Sequence, residues 1–195
     1  MANPEKDNVI KMSKKNKTAK KKSDTALLII DVQNGVIGKP NETYRAEPLL
    51  DNLEDLIRRA RKASVPVIYV QHNEGEMKPN TTDWHIHQRL TPQKGEIIIQ
   101  KRHPDSFQDT PLEEKLRELG VKKLVIGGLQ TEWCIDSTVR RAYSLGFDIT
   151  VVEDGHSTMD SSVLDASKIV AHHNHVFGGR FARLKQGRDI DLKQV

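Results

Sequence analysis

The sequence predicts an α/β domain built on a parallel sheet with helices on both faces. Three observations carry this expectation. Strand-like and helix-like segments alternate along the chain. The strand-like runs are apolar throughout rather than at every second residue. The helix-like segments carry recognisable start and stop signals. With 195 residues the chain has room for one such domain and a sizeable core, and not for a second of similar size.

The elements follow in order. "TALLIID" (25–31) is a short apolar run rich in β-branched residues that ends on an aspartate, which reads as a buried strand. "PLLDNLEDLIRRARKASV" sets Leu49, Leu50, Leu53, Leu56, Ile57 and Ala60 at helical spacing. "PVIYVQ" (66–71) is a second strand, residues 72–95 are mostly loop, and "EIIIQK" (96–101) is a third strand ending on a lysine. "TPLEEKLRELG" is a short helix, with Thr110 as N-cap, Pro111 at the first position, Glu113 completing a capping box and Gly120 as the stop. "KKLVIGG" (122–128) is a fourth strand, 134–146 a helix, "DITVVED" (148–154) a fifth strand, 161–174 a helix, and "GRFARLK" (179–185) a last strand.

The net charge of +4 is unevenly placed. Of 31 basic and 27 acidic side chains, residues 1–24 hold eight lysines and three acids, which leaves 23 basic against 24 acidic in the body. "KKNKTAKKK" has almost no apolar side chain to offset the entropy of ordering, so 1–24 is expected to be a disordered, solubilising tail and 25–195 the domain. Nucleic acid is not an expected partner, because the basicity is confined to this tail. No apolar run approaches a membrane span and no signal peptide is visible. A single cysteine, Cys134, forms no internal disulfide and fits a reducing, cytoplasmic setting.

In parallel sheets ligands bind outside the carboxyl ends of the strands. Asp31 ends the first strand, Lys101 ends the third, and Cys134 follows the fourth, so an acid, a base and a thiol share one sheet edge. A cysteine at a helix start, with a lysine nearby, is expected to have its pKa lowered from about 8.5 to roughly 3.5–7.5 and to be a thiolate. Such a sulfur attacks a carbonyl carbon, nearby N–H groups receive the oxyanion, and Asp31 moves the proton. From spacing alone, a small buried hydrophobe serves equally well as a reading of Cys134. Several other chemistries lack their motifs. "DVQNGVIGKP" is not a dinucleotide G-x-G-x-x-G, and the chain has no P-loop, no G-x-S-x-G elbow and no C-x-x-C pair.

Asp31 in "LLIIDVQNG", Lys101 in "EIIIQKRHPDSF" and Cys134 in "VIGGLQTEWCIDSTVRRAYSLGFDITVVEDGHST" resemble, in order and spacing, the three signatures of the isochorismatase-like cysteine hydrolases. That superfamily includes nicotinamidases, carbamoylsarcosine amidases, ureidoacrylate and biuret hydrolases and streptothricin hydrolases. The resemblance spans about residues 25–185. It implies a Rossmann-like, six-stranded parallel sheet in a three-layer α/β/α sandwich, a homo-oligomer, and a cofactor-free hydrolase acting on a small amide. Asp31 would be the general base and acid, Lys101 the partner of the thiolate, and Cys134 the nucleophile. A cis Leu129–Gln130 peptide would aim the Gln130 N–H, beside that of Cys134, at the oxyanion. Gly127 and Gly128 would let the backbone pass closely. An isochorismate-type vinyl-ether hydrolase on the same fold and a non-catalytic binding protein are the alternatives.

The segment "DWHIHQRLTPQKGE" resembles the W-x-I-H stretch of the streptothricin-hydrolase-like branch, which implies opening of a cyclic amide. The D-x-H…H metal site of nicotinamidases is not matched by His72, His85 and His87, so no metal is expected. Gln33, Trp84, His87, Phe107 and Trp133 are the pocket candidates, each with core packing or loop capping as the plainer role. His172 and His173 carry no assigned chemistry. Deleting residues 1–22 is expected to leave the thermal unfolding midpoint and hydrolytic turnover unchanged; a large fall in either would make the tail part of the domain.

Overall fold

The computed structural model describes residues 23–38, 43–73, 75 and 77–192. The strands are β1 (Thr25–Ile30), β2 (Val67–His72), β3 (Ile97–Lys101), β4 (Lys123–Leu129), β5 (Asp148–Ser157) and β6 (Arg183–Lys185), and they form one sheet in the order β3-β2-β1-β4-β5-β6. Every pairing is parallel. The helices are α1 (Asn34–Ile37), α2 (Ala46–Ala63), α3 (Leu112–Leu119), α4 (Asp136–Ser144) and α5 (Ala166–Val176).

Successive residues of a strand point to opposite faces, so an apolar run must be covered twice. Along β1, Ala26, Leu28 and Ile30 enter a core with Leu112 and Leu116 of α3 and Val139 and Ala142 of α4. Leu27 and Ile29 enter the other core, where α2 contributes Leu49, Leu50, Leu53, Leu56, Ile57 and Ala60. The α2 stripe is thus the complement of one sheet face, as its spacing predicts. The result is a three-layer α/β/α sandwich, as the sequence resemblance implies. No helix among the described residues is long and apolar enough to cross a membrane.

The chain proceeds outward from β1 in one direction and from β4 in the other. The two central strands therefore flank the point where the order reverses, and a crevice opens there at their carboxyl ends. Close packing at that point demands glycine. Gly128 has φ +133°, and a Cβ on it would lie 2.0 Å from the Ile30 carbonyl oxygen. At Gly127 a Cβ would lie 2.7 Å from the Gly155 carbonyl. The register of β4 on β5 also shifts between Ile126 and Gly128.

Several boundaries differ from the sequence expectation, each for a local reason. Ser23 and Asp24, counted with the tail, are held to the domain: the Asp24 carbonyl accepts from the N–H groups of Lys122 and Lys123, and the Ser23 hydroxyl accepts from the N–H of Thr25. The remainder of the Lys-rich tail lies outside the described residues. The Thr110 hydroxyl receives the Leu112 N–H at 3.3 Å, but Glu113 turns toward Arg117 and no reciprocal half of a capping box is formed. Gly120 is the left-handed stop it was expected to be, at φ 75°. Residues 161–165 are a turn rather than the start of α5. The Ser161 hydroxyl takes the N–H groups of Val163 and Leu164, and the Asp160 carboxylate takes that of Ala166, so local side-chain bonds outcompete the helix. At its far end α5 runs on as a π-turn over Phe177–Phe181, which shortens the last strand to three residues.

Replacing Gly128 by alanine is expected to cost about 4 kcal/mol or to prevent folding, since the clash is with rigid backbone at a positive φ. Urea denaturation checks this, and an unchanged midpoint would mean that the central strands can separate there.

Candidate active site

Three element ends build the site. Asp31 follows β1 in a left-handed conformation, φ 50°, with its N–H on the Val70 carbonyl. Lys101 is the last residue of β3, although β3 is the edge strand, and its four-carbon stem carries the ammonium inward. Cys134 lies in a π-helical turn, Thr131–Ile135, that leads into α4; the Gln130 carbonyl accepts both the Trp133 and the Ile135 N–H. The helix therefore begins three residues before the cysteine rather than at it. The Leu129–Gln130 peptide is cis.

The Lys101 ammonium is the centre of the arrangement. It lies 2.7 Å from Asp31 Oδ2, 3.1 Å from Cys134 Sγ, 3.1 Å from His72 Nδ1 and 3.1 Å from the His103 carbonyl oxygen. Its side chain is fully buried and that of Asp31 is 2% exposed, so each charge depends on the other to be tolerated there. Asp31 Oδ2 is engaged by this ion pair, while Oδ1 has no hydrogen-bond partner, which leaves its lone pairs available to take a proton. Cys134 is half-buried.

The thiol does not behave as its position at a helix start suggested. Burial, and next the Asp31 carboxylate, push the Cys134 pKa up to about 12; Lys101 acts in the opposite direction and is outweighed. Burial and the carboxylate thus oppose the lowering that a helix start and a nearby lysine were expected to bring. The lysine's charge is shared with an aspartate, and desolvation penalises any anion this deep.

A pocket of about 360 Å³ opens over these groups, lined by Asp31, Val36, His72, Met77, Pro104, Gln130, Trp133 and Cys134. Polar reactive groups are at its floor and apolar side chains at its walls. Asp31, His72 and Cys134 also present ligand atoms within 4.8 Å of one another, the group among the described residues best placed to hold a metal ion. A cation there would compete with the Lys101 ammonium for the same lone pairs.

The family model for the isochorismatase domain matches residues 25–174. The chain belongs to the isochorismatase family. An uncharacterised family protein, YddQ of Bacillus subtilis, is 41% identical over 77% of this chain and 87% of its own length. A streptothricin hydrolase of Streptomyces noursei is 34% identical over 69% of this chain and 55% of that enzyme. More distant relatives carry the names nicotinamidase and ureidoacrylate amidohydrolase. A crystal structure of an isochorismatase family protein superposes with a TM-score of 0.80 at 35% identity, covering 85% of this chain and 99% of that one.

Within this isochorismatase-family site the sequence-derived pocket candidates separate. Trp133 lines the pocket and is 58% exposed. Phe107 does not; it is 8% exposed and stacks on Phe147 in the core. Trp84 is turned to the side, where its indole N–H donates to Asn73. His87 caps a short 3₁₀ turn by accepting the Arg89 N–H, and burial followed by the Arg89 charge lowers its pKa. Gln33 is fully buried below the pocket floor and grips its neighbours: its amide donates to the carbonyls of His72 and Trp84 and accepts the His72 N–H.

Other residues at the site were not singled out from sequence. Val36, Met77 and Pro104 are wall residues, the first in the one-turn helix α1 and the other two on irregular segments, where no periodicity marks them. His156 is fully enclosed behind the oxyanion turn, with its ring nitrogens on the Thr131 hydroxyl at 2.9 Å and the Asn174 side-chain oxygen at 2.8 Å. Burial brings its pKa down to about 4, so it is neutral at physiological pH.

The Asp31 charge suppresses ionisation of the thiol, so Asp31→Asn has an unusual expected signature. Iodoacetamide should alkylate Cys134 several-fold faster than in the wild type at pH 7–8, because a charge that raises the thiol pKa has been removed. Alkylation rates measured from pH 6 to 10 check it; slower alkylation in the variant would mean that the carboxylate assists ionisation at rest.

Proposed function

We propose that the protein hydrolyses the C–N bond of a small, uncharged amide or lactam through a thioester on Cys134. The observation that carries this reading is the single ammonium of Lys101 touching both the Asp31 carboxylate and the Cys134 sulfur at a pocket floor.

The geometry supports the following sequence. The substrate carbonyl enters above Cys134. As the sulfur attacks the carbonyl carbon, the thiol proton passes to Asp31, whose free lone pairs lie beside it. Negative charge thus moves from carboxylate to sulfur and on to the carbonyl oxygen, with the Lys101 ammonium against both of the first two positions. The backbone N–H groups of Gln130 and Cys134 receive the oxyanion. Collapse of the tetrahedral intermediate breaks the C–N bond, and Asp31 returns the proton to the leaving nitrogen. Water then loses a proton to Asp31 and attacks the thioester; the acid departs and the sulfur regains its proton.

The walls narrow the substrate. Val36, Met77, Pro104 and Trp133 are apolar, and the lining among the described residues includes neither an arginine nor a lysine, so these walls suit an uncharged group better than a carboxylate. This favours an uncharged amide over an isochorismate-type dianion. The sulfur in the pocket favours it too, because vinyl-ether hydrolysis proceeds by protonation and needs no thiol nucleophile. The named activities of the streptothricin hydrolase and nicotinamidase relatives fit a family whose members open amide bonds.

Cys134→Ala is expected to lower kcat at least ~10³-fold with little loss of stability, since a small side chain replaces a half-buried small one. Turnover is measured against a panel of small amides, lactams and ureides. Acid quench of the wild type with the best of these should leave an acyl adduct on the tryptic peptide containing Cys134, visible by mass spectrometry. Near wild-type turnover by Cys134→Ala would sink covalent catalysis and move the chemistry to protonation by Asp31.

A further inference from the structure

An ammonium group has three hydrogens, yet the one on Lys101 has four acceptors within 3.1 Å: Asp31 Oδ2, Cys134 Sγ, His72 Nδ1 and the His103 carbonyl oxygen. Two of the four, His72 and His103, take no part in the chemistry described above. The other two exchange charge during it. We propose that His72 is a positioning residue: with the His103 carbonyl it holds two of the Lys101 hydrogens and so fixes the rotation of the ammonium, leaving the third to pass from Asp31 to Cys134 as negative charge passes between them.

The surroundings of His72 fit this role. Its Nδ1 can accept from an ammonium only if the ring is neutral there, which places the ring hydrogen on Nε2. The residue ends β2, beside the end of β3, and the two strands pair His72 directly with Lys101. Its backbone is held on both sides by one buried side chain: Gln33 Oε1 accepts the His72 N–H at 2.7 Å and Gln33 Nε2 donates to the His72 carbonyl at 3.0 Å. Gln33 is two residues after Asp31, so the same short segment that supplies the acid also sets the histidine that aims the lysine. Gln33 is fully buried and its amide also donates to the Trp84 carbonyl at 2.8 Å, so the grip on His72 is itself anchored.

The role rests on the amide-hydrolase reading for its kinetics but not for its effect on the thiol. The test uses two variants of the full-length protein. His72→Leu removes the acceptor; His72→Asn keeps an acceptor oxygen near the Nδ1 position. His72→Leu is expected to lower kcat about 10–100-fold with KM within about twofold of wild type, and to slow iodoacetamide alkylation of Cys134 several-fold at pH 8, because the ammonium is no longer aimed at sulfur. His72→Asn should recover most of both. Thermal melts establish that each variant is folded. Equal losses in the two folded variants, or a loss confined to KM with alkylation unchanged, would overturn the proposal and leave His72 as a pocket wall. If the wild type hydrolyses no amide at all, the function proposed above fails, and the alkylation rates of the three proteins still decide the role of His72.

Discussion

The buried ammonium of Lys101 is the constraint around which the rest of this molecule is arranged. A lysine with no exposed surface is tolerated only if its charge is met by an anion and its hydrogens by acceptors, and the four groups that meet them come from four separate places in the chain. A parallel sheet is an economical way to gather them. Strands β1, β2 and β3 all finish at the same edge, so Asp31, His72 and Lys101 are neighbours although they are far apart in sequence. Of the other two partners of the ammonium, the His103 carbonyl follows Lys101 by two residues, and Cys134 is brought in by the turn after β4, on the far side of β1. That turn can sit close only because Gly128 lets β4 press against Ile30. Strand order, glycine placement and reactive chemistry are here consequences of one electrostatic requirement.

Much of this was legible in the sequence, and the division is physical. The sheet and α2 were legible because burial on two faces imposes uninterrupted apolar strands and a helix stripe, patterns that need no knowledge of neighbours. Asp31, Lys101 and Cys134 were legible because strand ends are where parallel sheets expose polar groups. The pocket walls were not, since Val36 sits in a single helical turn too short to show a period and Met77 and Pro104 owe their place to the path of irregular segments. Trp84 and Phe107 misled for a related reason: an aromatic side chain near a site serves as readily to close the core or anchor a loop, and only coordinates separate these uses. The opposing influences on the Cys134 thiol were not legible, because sequence shows that a lysine and a helix start are near but not that burial and a carboxylate bear on the same sulfur.

Family membership and site geometry inform different levels of the conclusion. The domain match and the 41% identical Bacillus subtilis relative establish the family, but the latter is itself uncharacterised. What narrows the chemistry is the pocket: a thiol and a carboxylate at the floor, an apolar surround, and a polar chain of Thr131, His156 and Asn174 bracing the turn from behind. Thr131 and His156 of that chain are buried and none of the three lines the pocket over Cys134, so the chain steadies the turn that carries Gln130 and Cys134 from behind.

The segment between Met77 and His87 is fastened almost entirely through its main chain. The carbonyls of Asp83, Trp84 and His85 accept from Gly35, from Gln33 and Gln71, and from Asn34, while the N–H of His87 donates to Val32. Apart from Trp84, whose indole N–H is anchored on Asn73, its course therefore depends little on which side chains it carries. Side chains there, Met77 among them, can be exchanged while the loop keeps its path and the reactive floor keeps its geometry. Such a construction separates the part of an enzyme that must stay constant from the part that selection can rewrite, so one floor can be inherited by lineages that meet different molecules.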